Sequence, residues 1–588
     1  MRKIKKVLIA NRGEIALRII KALILLDIEA VAVYEKPDSE AYYLKFADEA
    51  ILLGEEARKN YLDIDKIINA ARQCGADAIH PGYGFLSENA DFAAACEQAG
   101  IIFIGPPPSV IRNLGDKVIA RDIAAKANVP LVPGTQSLHP GEAGYKEALE
   151  FTARHGYPVL LKAMAGGGGR GMRKAENDAD LKAQMASARA EAQAAFNDDR
   201  IYMEKLIRSP RHVEVQILAD AHGNVIHLGT RDCSIQRRYQ KLVEIAPADL
   251  PQNVAEAIHQ AAVAVAREAG YVNAGTVEFL MDSQTYEFWF MEVNTRLQVE
   301  HSVTEMITGV DIVRQQILIA EGRRMELQQH QIRLTGDIAI EVRVVAEDPK
   351  NHFLPEGGKY VEIYQEPGGP GIRLDGILYK GYRIPVAYDS LLLKLIVKGY
   401  EWEQTVHRLK RALNDLTIVG PKTAIPLYLA MCDEPDFLAG KFDTGYLETH
   451  PAVFNYPEPR YYVIDDLVFK SFQTGDEKAE TTLPLPKEKK DWDEWKKHKR
   501  TLTTAEIEAL KREGVIISPI KGKVSRVPME VGDVVLAGDV LIDLEAMKMH
   551  THIVSEVDGK VADIIAEPGD SVDVGDRLML ISVGPHAA

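Results

Sequence analysis

Two glutamates, Glu278 and Glu292, lie in the stretch "GTVEFLMDSQTYEFWFMEVNTRLQVE" from Gly275 to Glu300. Strand-like runs from Gly275 to Met281 and from Tyr286 to Val293 flank a polar turn at Asp282 to Gln284, which predicts a hairpin with the two carboxylates roughly opposite each other. Facing carboxylates repel unless a cation sits between them, and oxygen-only ligands suit Mg²⁺ or Mn²⁺ bridging nucleotide phosphates. Beyond Glu292, polar residues fall at every second position: Asn294, Arg296, Gln298 and Glu300. An extended segment puts all four on one face, with Val293, Leu297 and Val299 on the other. A half-solvated surface strand also alternates, but it does not account for amide, guanidinium and carboxylate groups mixed on one face.

A second candidate is "KAMAGGGGRGM", Lys162 to Met172. Four successive glycines leave no Cβ between backbone and ligand, so their N–H groups can wrap phosphate oxygens, and Lys162 and Arg170 bracket them with positive charge. The lysine precedes the glycines and no Gly-Lys-Ser/Thr follows, so this is not a Walker loop. A flexible linker is the competing reading. The preceding strand-like "YPVLLK" favours a phosphate-covering hairpin.

The third candidate is "EAMKMH", Glu545 to His550, in which Lys548 stands between two methionines. The sequence around it repeats with an offset of 37: Gly522-Lys523-Val524 returns as Gly559-Lys560-Val561, Gly532-Asp533 as Gly569-Asp570, and Gly538-Asp539 as Gly575-Asp576. One fixed offset means two copies of a small unit. Short β-branched runs punctuated by Gly-Asp read as strands joined by tight turns, each copy burying the other's apolar face. Lys548 falls at the connection, at or near an exposed turn.

The elements that must position these groups follow from the rest of the chain. Its 588 residues are too many for one core and imply three or more domains. A composition of 46% hydrophobic and 27% charged residues is ordinary for a soluble globular protein. The most apolar early run, Ala22 to Val33, is broken by Asp27 and Glu29, so no membrane span is expected. No basic-then-apolar leader opens the sequence, and Cys74, Cys96, Cys233 and Cys432 lack paired spacing, which points to the reducing cytosol. A net charge of −16 disfavours nucleic acid. The body alternates strand and helix periods, an α/β pattern. It opens with "KVLIANRGEIALRIIKAL", a βα unit turning at Asn11-Arg12-Gly13, and the turn-rich "HPGYGFLSEN", His80 to Asn89, reads as a loop at a strand end, where such folds bind ligands. Thr474 to Arg500 is charged, poor in aliphatic pattern and reads as a tether of 27 residues. As a coil it reaches about 25 to 30 Å. A short capped helix, with Thr503 and Glu506 as a capping box and Gly514 at its end, follows it.

Residues 1 to about 450 resemble biotin carboxylase, an ATP-grasp enzyme, and residues 515 to 584 resemble the biotinyl domain of carrier proteins. The whole chain is similar to the α subunit of acyl-CoA carboxylases and of two-subunit pyruvate carboxylases. The resemblance implies an α/β body with an N-terminal subdomain (1–115), ATP-grasp subdomains (116–325, lid about 133–206) and a C-terminal subdomain (326–450). A linker or docking segment (451–514) and an all-β, lipoyl-like biotinyl domain (515–588) complete it.

Carried over residue by residue, the resemblance implies that Lys117 and Lys162 bind ATP phosphates with Gly168 and Gly169 in the lid. Glu204, Lys205 and Leu206 match contacts to adenine and ribose, and His212 a further nucleotide contact. Glu278, Glu292 and Asn294 match ligands of Mg²⁺ or Mn²⁺. Lys241, Arg296, Gln298 and the Val299 backbone match a bicarbonate cradle, Glu300 the general base, Arg343 the arginine facing biotin, and Lys548 the lysine that carries biotin as an amide. Bicarbonate is a poor electrophile. ATP would phosphorylate it once a carboxylate beside two cations removes its proton, and the carboxyphosphate so formed would release CO₂ to biotin. Three positions depart from the common pattern: Tyr239 for histidine, Ala165 for glycine and Ser302 for proline.

An active cytoplasmic enzyme is expected, and body, carrier and intervening stretch leave too few residues for a carboxyltransferase domain, so the implied partners are a separate carboxyltransferase (β) subunit and biotin protein ligase. The chain would act as a homo-oligomer within that hetero-oligomeric complex. The expected acceptor is an acyl-CoA, with a 2-oxo acid such as pyruvate as the alternative. An inactive carrier or assembly subunit is a remote reading, against which the intact candidate residues argue.

Overall fold

The protein is described from a computed structural model covering residues 3–164, 172–196, 198–332, 336–464, 467–471, 514–518, 522–546, 549–555, 557–572 and 575–582. The chain divides into two compact units, Met1–Tyr456 and Pro457–Ala588. Ala165, Gly168, Gly169 and Arg170, the tether Thr474 to Arg500, the Thr503 capping box and Lys548 lie outside the described residues.

The first unit opens with β1 (Lys6–Ile9), β2 (Glu29–Glu35), β3 (Glu49–Gly54), β4 (Ala78–His80) and β5 (Ile102–Phe103), a parallel sheet in the order β3-β2-β1-β4-β5. Buried on both faces, β1 reads as the continuous apolar run expected of a parallel strand. The turn after it leads through Gly13, whose φ of +70° suits glycine, into α1 (Gly13–Leu25). The loop at the end of β4 is tied back to that turn by Asn11, whose amide donates to the carbonyls of Pro81 (2.6 Å) and Tyr83 (2.8 Å).

Three short strands, β6 (Val159–Ala163), β7 (Arg173–Ala175) and β8 (Ile201–Lys205), pair antiparallel in the order β7-β6-β8 over their own apolar cluster. The largest sheet takes β9 (Pro210–Ala219), β10 (Val225–Arg237), β11 (Gln240–Ala246), β12 (Asn273–Asp282), β13 (Phe288–Asn294) and β14 (Ile338–Val345) in the order β13-β12-β9-β10-β11-β14. Leu391–Gly399 and Ile372–Gly376 extend it beyond β14. The helix Gln252–Glu268 packs its apolar face, including Ile258, Ala262 and Val265, into the core beneath β9 and β12.

The second unit contains two four-stranded sheets related by the 37-residue offset. Val515–Ile517, Arg577–Ser582, Gly559–Ile564 and Val534–Val535 form one; Met549–Val554, Val540–Ala546, Gly522–Arg526 and Ser571–Val572 form the other. The copies exchange equivalent backbone bonds: Gly532 donates to Val561 and Gly569 to Val524, both at 2.8 Å, while Gly538 donates to Ser555 and Gly575 to Ser518, again at 2.8 Å. All four glycines have φ between +85° and +104°, the conformation such turns require. One core, including Val524, Val535, Leu541, Val561, Val572 and Leu578, draws on both copies. Neither copy could bury that face alone.

Candidate active site

Register on the large sheet puts three carboxylates in a row. Glu292 lies opposite Glu278, Glu278 opposite Glu214, and Glu214 opposite Arg231, across β13, β12, β9 and β10. Residues directly opposite in antiparallel strands share a face at about 5 Å between Cβ atoms, so the row carries strong repulsion that cations must offset.

Arg231 ends the row and is wholly buried. It donates from Nε to Glu214, from one terminal nitrogen to Gln216 (2.8 Å) and Thr304 (3.0 Å), and from the other to Thr276 (3.0 Å) and Gln298 (2.6 Å). That is an acceptor for each of its five N–H groups. Lys241 on β11 donates to Glu214 Oε2 (2.7 Å), Glu278 Oε1 (2.9 Å) and Glu300 Oε1 (2.7 Å). Although burial opposes its charge, those carboxylates hold its pKa well above the usual lysine value. His212 Nε2 lies 3.0 Å from Glu278 Oε2. Burial favours neutral His212, but Glu278 outweighs it and raises the imidazole pKa.

Burial by itself would raise Glu278; Lys241 and then His212 overcome it and hold the carboxyl well below the usual range. Glu214 is brought to about 2, with burial again opposed by Arg231 and Lys241. Glu292 moves the other way, upward, through desolvation and then the Glu278 charge. Among the described residues, no hydrogen bond or ion pair reaches Glu292. Two of the three carboxylates are therefore compensated by the chain, and the outer one is not. A hard divalent cation at the Glu278–Glu292 end fits this donor set.

The expected strand through Glu300 is not found. β13 ends at Asn294; residues 295–300 run through a bend and a turn, and Glu300 precedes the helix His301–Thr308. Tertiary bonds replace the ladder. Gln298 donates to Glu278 (2.8 Å), Arg296 to Asn294 (2.9 Å), and the buried Lys394 ammonium to the Val299 carbonyl (2.8 Å). Arg296 Nε stands 3.0 Å from Glu88 in the β4 loop. Asn294 donates to Glu278 (2.8 Å). The four alternating side chains thus converge without a strand to hold them. Glu300 also receives Arg343 of β14 (3.0 Å), and with burial opposed by Lys241 and Arg343 its carboxyl is held at about 2.

Lys162 and Glu204 are joined to each other on the three-stranded sheet, and Glu204 also accepts from Arg121 (3.1 Å). Lys205 donates to the Tyr157 carbonyl (3.0 Å) and the Leu206 N–H to Pro158 (3.1 Å). Lys117 begins the helix Lys117–Lys126, which Asp116 caps.

Glu214, Arg231, Lys394, Glu88, Arg121 and Glu244 were not singled out from sequence. A charged residue inside an otherwise apolar strand, as Glu214 in "HVEVQIL", is the signal that could have flagged the first. Of the three departures, Tyr239 is exposed on the β10–β11 turn at φ +68°. Ser302 is buried, and its hydroxyl donates to Glu341, a bond proline cannot make.

Replacing Arg231 with methionine leaves Glu214 buried beside Glu278 with one cation fewer. Loss of one partner of a buried pair typically costs about 3 to 5 kcal/mol. A clearly lowered unfolding midpoint of the full chain is expected, and a parent-like midpoint would show that the row does not depend on Arg231.

The sequence matches four family descriptions: "Biotin carboxylase, N-terminal domain" over residues 3–111, "Carbamoyl-phosphate synthase L chain, ATP binding domain" over 116–328, "Biotin carboxylase C-terminal domain" over 341–449 and "Biotin-requiring enzyme" over 514–581. It is 46% identical over 452 residues to biotin carboxylase 1 of Bacillus subtilis, covering 76% of this chain and 99% of that protein. The chain belongs to the biotin carboxylase family. It is an ATP-dependent biotin carboxylase with an ATP-grasp body and its own biotin-lipoyl domain, using bicarbonate, ATP, Mg²⁺ and biotin. Similarity extends to pyruvate carboxylase of Bacillus subtilis, 48% identical over 78% of this biotin carboxylase but only 40% of that longer protein. The biotin carboxylase domain dimer of Hydrogenobacter thermophilus 2-oxoglutarate carboxylase, solved with MgADP, ADP and bicarbonate, superposes with a TM-score of 0.72 at 48% identity, covering 78% of this chain and all of that one. Among the described residues, no helix of this biotin carboxylase is long and apolar enough to cross a membrane.

Proposed function

We propose that the network around Lys241 is where bicarbonate loses its proton, and that the carboxyl group leaves this chain on Lys548 for a separate carboxyltransferase subunit. The observation that carries the reading is Glu300, a buried carboxylate gripped by Lys241 at 2.7 Å and Arg343 at 3.0 Å beside the Glu278–Glu292 row.

Gripped in this way, Glu300 is a weak base. An anion entering between Lys241, Arg296, Gln298 and the Val299 backbone draws those cations toward itself and raises the proton affinity of Glu300. Glu300 then accepts the bicarbonate proton. Glu278, Glu292 and Asn294 would hold Mg²⁺, and Lys117, Lys162, Glu204, Lys205, Leu206 and His212, together with Gly168 and Gly169, would bind ATP. When bound, ATP supplies the phosphoryl group that activates bicarbonate, Mg²⁺ offsets phosphate charge, and biotin supplies the nitrogen that accepts the carboxyl. Arg343, fixed in charge, holds the negative charge that develops at the ureido oxygen.

The proposed acceptor is an acyl-CoA. A 2-oxo acid is a second reading, favoured by the likeness to the 2-oxoglutarate carboxylase domain and to pyruvate carboxylase. Purification of the native complex followed by fixation of labelled bicarbonate distinguishes them. Label fixed with acetyl-CoA or propionyl-CoA is expected, and label fixed only with pyruvate or 2-oxoglutarate would replace the first reading by the second. Isolation of a fully active carboxylase without any second chain would overturn the separate carboxyltransferase.

A further inference from the structure

Arg343 is held from behind by a carboxylate that the proposed reaction does not use. Glu244 on β11 is completely buried, and its Oε1 receives Arg343 Nε at 2.6 Å and a terminal nitrogen at 2.6 Å. The same terminal nitrogen reaches forward to Glu300 at 3.0 Å. Glu244 faces Glu341 directly in the β11–β14 register, and Glu341 shares its sheet face with Arg343, two residues along the strand. Ser302 holds Glu341 through its hydroxyl, and Tyr428 donates to the Arg343 carbonyl at 2.6 Å. Oε2 of Glu244 and Oε1 of Glu341 have no hydrogen-bond partner among the described residues.

A carboxylate so buried is costly to keep charged. Burial pushes Glu244 up to about 7, with Arg343 pulling the other way, and pushes Glu341 well above the usual range. Such an arrangement is a poor way to stabilise a fold, since apolar side chains of similar size would serve as well or better. It does fix a guanidinium, because two contacts through Nε and its neighbouring nitrogen leave Arg343 one orientation.

We propose that Glu244 is the positioning residue for Arg343, aiming its outer edge at Glu300 and at the biotin ring. The inference rests on the reading of Arg343 as the arginine that faces biotin.

The test uses the full-length biotinylated chain and the variants Glu244→Asp, Glu244→Gln and Arg343→Gln. Three quantities are measured: bicarbonate-dependent ATP cleavage without free biotin, carboxylation of free biotin, and the position of Arg343 in a crystal structure of Glu244→Asp. Misplacing a reacting group by about 1 Å costs on the order of 10²-fold. Glu244→Asp keeps the charge but withdraws the carboxylate by one methylene, and it is expected to lose about that factor in kcat for biotin carboxylation while its biotin-free ATP cleavage falls much less. Glu244→Gln, whose carbonyl oxygen can still accept both Arg343 contacts, should keep much of the activity, and Arg343 should be displaced in the crystal structure of the aspartate variant. Should Glu244→Asp fail to accumulate, Glu244→Gln makes the same comparison, with a smaller loss, larger at the biotin step, expected. An equal fall in both activities, or an undisplaced Arg343, would overturn the proposal in favour of a structural role. Normal biotin carboxylation by Glu244→Asp alongside an impaired Arg343→Gln overturns the proposal but leaves Arg343 in place. Normal carboxylation by Arg343→Gln overturns the reading beneath it.

Discussion

Replacing Glu300 by glutamine should lower bicarbonate-dependent ATP cleavage by about 10²- to 10⁴-fold, the usual cost of losing a general base, and added Mg²⁺ should not restore it. Glutamine keeps the shape of the side chain, and its one carbonyl oxygen can still accept from Lys241 or Arg343, which donate to different oxygens of Glu300, but it cannot take a proton from bicarbonate. Glu292→Gln is the control. Glu292 stands at the uncompensated end of the carboxylate row, opposite Glu278, so its loss weakens metal binding, and higher Mg²⁺ concentration should recover part of the rate. Rates measured over a Mg²⁺ titration separate the two. Equal rescue of both variants would show that the roles of base and metal ligand are not divided between Glu300 and Glu292 in this way.

Lys548→Arg should abolish delivery of the carboxyl group to the acceptor while carboxylation of free biotin by the body continues. An arginine guanidinium remains protonated and cannot form the biotinyl amide that a lysine amine can. The hairpin of Val540–Ala546 and Met549–Val554 closes with Ala546 opposite Met549, and Met547 and Lys548 are the residues between them in sequence. Intact-mass measurement of chains expressed with biotin protein ligase should show one biotinyl group on the parent and none on the variant. A biotinyl group retained by the variant would place the attachment elsewhere.

Much of this protein follows from local pattern. The 37-residue repeat alone foretells two interlocked copies, because identical spacing of Gly-Asp turns imposes identical strand lengths, and each strand set is apolar on one face. The hairpin that pairs Glu278 with Glu292 is likewise written in two apolar runs around a polar turn, and strand periodicity needs nothing beyond nearest neighbours to be read. The course of residues 295–300 is not local. Alternation there implied a strand, but an extended backbone needs a partner, and past Asn294 the chain is held by Lys394, Glu278 and Lys241 instead. Tertiary structure also decided which charges meet. Glu214, Arg231, Lys241, Glu278, Glu300 and Arg343 come from five strands and a turn, far apart in sequence, and only sheet order and register bring them together. A sequence pattern reports the face a residue occupies. It carries no record of the opposite charge that folding will set against it, and so the acid–base character of Glu300 and the grip of Glu244 on Arg343 belong to the fold.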